Sequence, residues 1–183
     1  MGEQPPCVCL LARDMVYSQG IAPRTILCGG KEEITMVRVL FVCLGNICRS
    51  PMAEFICKAM LAERGEAGEY FVASAGVSDE EEGNPVYPPA KAELARHGIS
   101  CEGKRARQLR PSDYEKYDYI LCMEGYHVRA AARVCGGDPQ GKIVRLSDFT
   151  ARPHDIADPW YTRDFSTAYA EIEEGVRAFL DRA

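Results

Sequence analysis

Cys43 and Arg49 stand six positions apart in the run Cys43-Leu44-Gly45-Asn46-Ile47-Cys48-Arg49-Ser50-Pro51. These residue types at this spacing suit the capture of a phosphoryl group. A short loop of this kind can curl until its backbone N–H groups converge on one anion, and a helix starting behind it adds partial positive charge. Arg49 can grip two phosphate oxygens through its planar fork. At the base of such a cradle Cys43 is favoured as a thiolate, the form that attacks phosphorus. Gly45 and Asn46 tolerate the left-handed backbone that a tight anion loop demands. Pro51 suits the first turn of a helix, where a missing N–H costs nothing. A bare C-x5-R is short enough to leave a rival open, a buried structural cysteine beside a surface arginine. The flanking elements weigh against that rival.

Those elements are regular. Val37–Cys43 is an apolar, largely β-branched run, as expected of a strand buried on both faces. Ser50–Arg64 predicts a helix with Met52, Phe55, Ile56, Ala59 and Met60 on one face. Tyr70–Ser74 predicts a second strand, and Pro89–His97 a helix closed by Gly98. A third strand over Tyr117–Met123 precedes a helix through Ala130–Val134 that stops at Gly136-Gly137, and Ile143–Leu146 is a fourth strand. Phe165–Leu180 is an amphipathic helix with Tyr169, Ile172, Val176, Phe179 and Leu180 inward. Strands alternating with helices predict an α/β fold, a three-layer sandwich around a four-stranded parallel sheet. Such sheets bind ligands at the carboxyl ends of their strands, near a switch in strand order.

The chain has 183 residues, 46% of them hydrophobic and 27% charged, which fits one soluble domain with a sizeable core. A net charge of -5 gives no global attraction to nucleic acid or anionic membrane, so a phosphate site must make its own local positive field. No apolar run approaches the ~18 residues of a transmembrane helix, and MGEQPP resembles neither a secretory signal nor a myristoylation site. Nine cysteines show no CxxC pair and no zinc-type spacing, which predicts a reducing, cytoplasmic setting. The histidines His97, His127 and His154 are scattered and give no metal constellation.

Residues 1–35 look unlike the rest. They mix prolines, glycines and cysteines without sustained periodicity, and predict a poorly ordered extension with a short helix around Val8–Ala12. Gly29-Gly30-Lys31-Glu32-Glu33 can be encoded almost wholly by purines, as a ribosome-binding site would be, so translation is expected to start at Met36. The working domain is then 36–183.

The run VCLGNICRSPMAE resembles, nearly residue for residue, the signature of the low-molecular-weight protein tyrosine phosphatase family. A second motif lies where that resemblance wants it: Asp158-Pro159-Trp160-Tyr161 is similar to the family's late acid loop. Ser74-Ala75-Gly76 and Gly83-Asn84-Pro85 resemble two further family segments. The resemblance implies a flavodoxin-like, phosphotyrosine phosphatase I-like fold and hydrolysis of phosphotyrosine in proteins or peptides. It implies a phosphocysteine on Cys43, with Arg49 and loop residues Leu44 through Ser50 holding the phosphate and Asp158 as general acid. Alone, Asp158 before Pro159 reads as a turn; beside the Cys43 loop it reads as the proton donor that a leaving phenolate needs. Ser50 is implied to steady the thiolate, and Asn46 to hold the loop through contacts that include Ser74. Cys48 is implied to form a reversible disulfide with Cys43 under oxidation; a small loop residue is the plainer account. Trp160 and Tyr161 could wall the pocket against a phenyl ring, or could serve as core anchors. No metal or cofactor is needed, since Arg49 and the backbone carry the charge stabilisation. A monomer with weak self-association is expected.

Three features depart from the family pattern. Lys104 stands where a histidine is common, which puts one member of the loop's support in doubt. Asp79-Glu80-Glu81-Glu82 falls in a loop bordering the family's active-site mouth, usually aromatic there, and would disfavour acidic phosphopeptides if it faces the cleft. Glu124-Gly125-Tyr126-His127 follows the third strand where relatives carry other polar residues. Other functions compete. A protein-arginine phosphatase typically has Thr where Ile47 sits. A thioredoxin-coupled arsenate reductase needs further cysteines that Cys101, Cys122 and Cys135 are poorly placed to supply. A non-catalytic phosphate-binding module would lack the nucleophile or the acid.

Overall fold

Val37–Cys43 forms the strand (β3) on which everything else is hung. In the computed structural model, which describes residues 24–28 and 31–182, its residues alternate between two apolar cores. Val39, Phe41 and Cys43 face one side, Leu40 and Val42 the other, and all five are essentially inaccessible to water. That double burial is why the run is continuously apolar rather than alternating. Burial of a side chain such as Phe41 contributes about 1.5–3 kcal/mol.

Ahead of it, β1 (Arg24–Cys28) and β2 (Lys31–Thr35) pair antiparallel as a two-stranded sheet of their own. The expected short helix around Val8–Ala12 lies outside the described residues. After β3 come α1 (Arg49–Arg64), β4 (Tyr70–Gly76), α2 (Pro88–Arg96), the short α3 (Asp113–Lys116) and β5 (Tyr119–Cys122). There follow α4 (Gly125–Cys135), β6 (Ile143–Arg145), a 3-10 turn over Leu146–Phe149, the short α5 (Pro159–Thr162) and α6 (Phe165–Leu180). The main sheet runs β4-β3-β5-β6, every pairing parallel. Helices α1, α2 and α6 contribute Met52, Ile56, Leu94, Ile172, Val176 and Phe179 to one core. On the opposite face, Ala131 of α4 and Tyr114 of α3 pack with Leu40, Val42 and Ile120. The three layers are those expected of a flavodoxin-like α/β fold.

The chain leaves β3 towards β4 on one side and later returns to β5 on the other. The order therefore switches at the carboxyl end of β3, where Cys43 lies in register with Gly76 and Val42 with Cys122. That crevice is the ligand position of open α/β sheets. Element bounds differ from the expected ones by a residue or two, except that α4 begins at Gly125, well before Ala130. Helices α3 and α5 have four residues each, too few for any apolar period to show.

Candidate active site

The connection from β3 to α1 is built around Asn46. Its φ of 59° is left-handed, which an asparagine accepts more readily than most residues. Its side chain is almost fully buried and fully used. Nδ2 donates to Ser50 Oγ and Ser74 Oγ, both at 2.8 Å, and Oδ1 accepts from Arg107 N–H at 3.0 Å. The Arg107 amide thus fixes which way the Asn46 amide faces. Backbone bonds brace the loop from outside: Val77 N–H to Cys43 O, Ser78 N–H to Leu44 O and Tyr87 N–H to Ile47 O, at 3.0, 2.9 and 2.9 Å. Gly76 allows this closeness. A Cβ there would lie 2.6 Å from Leu44 O and 3.1 Å from Asn46 N.

Cys43 is buried, with Sγ 3.0 Å from Ser50 Oγ. Because Asn46 donates to Ser50 Oγ, the Ser50 hydroxyl proton is free to point at sulfur; its other acceptor, Ala75 O, is 3.3 Å away. Helix α1 starts directly behind, and no side chain among the described residues caps its N-terminus. Its first N–H groups and the dipole therefore face the loop uncompensated.

Arg49 is among the largest fully buried side chains in the protein. Nη1 donates to Glu124 and to Ile156 O at 2.8 Å, and Nη2 to Asp158 Oδ2 at 2.5 Å. Nε is buried and has no hydrogen-bond partner among the described residues. Asp158 caps α5, accepting from Trp160 N–H at 3.0 Å through its other oxygen. Trp160 packs on Tyr87 with ring centroids 4.7 Å apart, and the Arg163 guanidinium lies 5.6 Å from the Trp160 ring. Tyr161 is 76% exposed and Trp160 40% exposed, so neither is a core anchor.

Three elements distant in sequence thus meet: the β3–α1 loop, the turn after β5 and the segment before α5. Among the expected site residues, Leu44, Gly45 and Ile47 are partly exposed while Cys48 is buried. Burial first, then the charges of Cys43 and Asp158, push the Cys48 thiol up to about 12, so it stays protonated. The Cys43 and Cys48 sulfurs are both free, as are those of Cys57, Cys101, Cys122 and Cys135.

Several contributors were not singled out for these roles from the sequence. Glu124 anchors Arg49 from 75 positions away, at the carboxyl end of β5. The doubt over Lys104 resolves in favour of support. Its Nζ lies 2.8 Å from Glu54 Oε2 and 3.3 Å from Ser74 O, while Ser74 Oγ donates to Glu54 at 2.6 Å. Burial alone would push the Glu54 carboxyl up, but Lys104, with Lys58 and Ser74, holds it below its ordinary range. A line of hydrogen bonds therefore runs Lys104–Glu54–Ser74–Asn46–Ser50–Cys43. His127, in the first turn of α4, is 1% exposed and its Nδ1 has no hydrogen-bond partner among the described residues. Burial, then the Arg49 charge, pushes its pKa down to about 4 against the pull of Asp158 and Asp155, so it is neutral at neutral pH. In the acidic loop, Glu81 lies against the β3–α1 loop, with Cγ 3.0 Å from where a Cβ on Gly45 would be. Glu82 turns instead to Arg110, at 3.6 Å.

A family profile described as low molecular weight phosphotyrosine protein phosphatase matches residues 38–183. The chain belongs to this family. It is 37% identical over 147 residues to the low molecular weight protein-tyrosine-phosphatase YfkJ of Bacillus subtilis, covering 79% of this chain and 94% of that one. The human low molecular weight phosphotyrosine protein phosphatase is 37% identical over 150 residues, covering 79% of this chain and 94% of its own. The crystal structure of YfkJ from Bacillus subtilis superimposes with a TM-score of 0.77, over 80% of this chain and 94% of that chain, at 37% identity.

Proposed function

We propose that this family member hydrolyses phosphotyrosine in proteins or peptides by two displacements at phosphorus, using Cys43, Arg49 and Asp158. The observation that carries the reading is the meeting of Arg49 with Asp158, 2.5 Å apart, at the mouth of a loop whose first residue is a buried cysteine 3.0 Å from a serine hydroxyl. In the first step the Cys43 thiolate attacks phosphorus. The S–P bond forms, the P–O bond to the phenol breaks, and the Asp158 carboxyl gives its proton to the leaving oxygen. In the second, water attacks the phosphocysteine, its proton passes to the Asp158 carboxylate, the S–P bond breaks and phosphate leaves. Arg49 and the loop amides hold the three non-bridging oxygens through both steps. A phosphate that takes over Arg49 Nη2 releases Asp158 to reach the leaving group. The Ser50 hydroxyl donates to the sulfur, stabilising it as nucleophile and as leaving group.

The exposed rings of Trp160 and Tyr161 suit the wall of a slot for a flat phenyl group. Ile47, partly buried against the core beside Tyr87 N–H, favours tyrosine over arginine as the residue carrying the phosphate. Glu81 beside Gly45 disfavours acidic sequences around it. Residues 36–183 form the phosphatase domain, and 1–35 are an addition to it. We take the enzyme to be a cytoplasmic monomer; no helix among the described residues is long and apolar enough to cross a membrane. Cys48 is the partner for reversible oxidation of Cys43, with peroxide as oxidant. A Cys43 sulfenic acid condenses with the Cys48 thiol, losing water, and added thiol restores both.

The test is hydrolysis of phosphotyrosine against phosphoarginine by the full chain and its Cys43→Ser and Asp158→Ala variants. Phosphotyrosine should be the better substrate and Cys43→Ser inert. Full activity of Cys43→Ser would end the reading, and a preference for phosphoarginine would move it to the arginine phosphatases.

A further inference from the structure

Lys104 belongs to two places. It terminates the hydrogen-bond line that reaches Cys43, and it also lines a small, partly open recess of about 70 Å³ together with Lys91, Cys101, Glu102 and Arg105. An ammonium has three N–H donors. Glu54 Oε2 and Ser74 O engage two of those on Lys104, which leaves one uncommitted among the described residues, on a side chain only 11% exposed. Arg105 makes no ion pair among the described residues, although its charge reaches Glu102. Lys91 is held by both oxygens of Glu102 at 2.9 Å, but that pair is exposed, screened by water and weakly bound. The recess therefore gathers three cations against two carboxylates, Glu102 at its rim and Glu54 behind Lys104, which leaves the Arg105 charge unpaired among the described residues. It has room for a small tetrahedral oxyanion.

We propose that this recess binds inorganic phosphate through Lys91, Lys104 and Arg105, and that its occupancy is felt at Cys43. An anion on the third N–H of Lys104 competes with Glu54 for the same charge. Weakening Lys104–Glu54 slackens Glu54 on Ser74 at 2.6 Å, Ser74 on Asn46 at 2.8 Å, and Asn46 on Ser50 at 2.8 Å. Ser50 is the hydroxyl 3.0 Å from the Cys43 sulfur. Phosphate is also the product of the proposed hydrolysis, so the recess would report accumulated product at a place other than the phosphate loop. This regulatory half rests on the phosphatase reading; the binding half does not.

The test has two arms. In the first, the phosphate loop is filled with saturating benzylphosphonate and inorganic phosphate is then titrated, following backbone amide signals of Gly103, Lys104 and Arg105 by NMR. Saturable shifts are expected in the wild type and should vanish in Lys91→Ala/Arg105→Ala. Absent or linear shifts would mean an adventitious ion only, and would overturn the site. In the second arm, phosphate inhibition of phosphotyrosine hydrolysis should lower apparent kcat as well as raise KM. It should become purely competitive in the double variant, whose kcat without phosphate is unchanged. Purely competitive inhibition of the wild type, with saturable shifts intact, would overturn the coupling. Saturable shifts in a protein that hydrolyses no phosphotyrosine would sink the phosphatase reading and leave the site standing.

Discussion

Asp158 Oδ2 lies 2.5 Å from Arg49 Nη2, so the group assigned to deliver a proton and the group assigned to hold phosphate are bonded to each other. Binding of a phosphate at Arg49 must replace that bond. The Asp158→Ala variant should therefore change two quantities in opposite directions. Without a proton donor, kcat for phosphotyrosine should fall by roughly 100- to 10,000-fold. An aryl phosphate with a more acidic phenol should lose much less. Inorganic phosphate should meanwhile bind more tightly, because a competing carboxylate beside Arg49 is gone. Weaker phosphate binding in the variant, measured as product inhibition, would contradict this role for the contact.

Gly76 should be irreplaceable at its position for a purely steric reason. A Cβ there would meet the backbone of Leu44, Gly45 and Asn46 at 2.6–3.1 Å, and backbone cannot move aside as a flexible side chain would. Gly76→Ala should cost about 1–3 kcal/mol of stability by overpacking and should raise KM by displacing the loop. Gly68→Ala is the control, since nothing among the described residues lies within 4 Å of that added carbon. Thermal unfolding and KM of the two variants decide it; equal behaviour would mean that the loop yields freely.

What the sequence made legible followed from period and proximity. Val37–Cys43 declared itself by unbroken apolar character, and Phe165–Leu180 by a sustained helical stripe. The C-x5-R loop between strand and helix was readable because all its chemistry is local. The sequence suggested Arg49 as a phosphate ligand but could not show it as a buried residue held by Glu124, since that partner is 75 positions away. Nothing in a sequence shows which distant strand end faces which. The same holds for Lys104, whose departure from the family pattern was visible while its contact with Glu54 was not. The hairpin Arg24–Cys28 with Lys31–Thr35 had no apolar alternation to announce it. Helices α3 and α5 were simply too short.

Lys104 and Glu54 form a largely buried pair, with side chains 11% and 6% exposed. Removing one partner of such a pair strands the other. Lys104→Met should therefore lose about 3–5 kcal/mol of stability and also lower kcat, since Ser74, Asn46 and Ser50 relax with Glu54. Lys104→Arg should recover most of the kcat if a positive charge at that point is what matters. A Lys104→Met enzyme that is destabilised yet keeps wild-type kcat and KM would confine the pair to a folding role.

His127 gives a stability signature whose sign can be worked out in advance. In the fold it is neutral, its pKa pushed down to about 4 by burial and by Arg49 on α1, with Asp158 and Asp155 from the segment before α5 opposing. In the unfolded chain it titrates near its ordinary value of 6.5. As pH falls from about 6.5 to about 4, the unfolded chain takes up a proton that the folded one refuses. Stability drops at about 1.4 kcal/mol per pH unit over that window. It is fully present above the window and reaches a floor below it. Replacing the imidazole with an amide of similar length, His127→Gln, removes this titration. Denaturant unfolding of both proteins between pH 4 and pH 7 should show curves that diverge towards neutrality, the wild type gaining the more steeply. Acidic groups shared by the two proteins cancel in the difference. Parallel curves would show that His127 ionises as readily in the fold as outside it, and that the positive charge of Arg49 does not reach it.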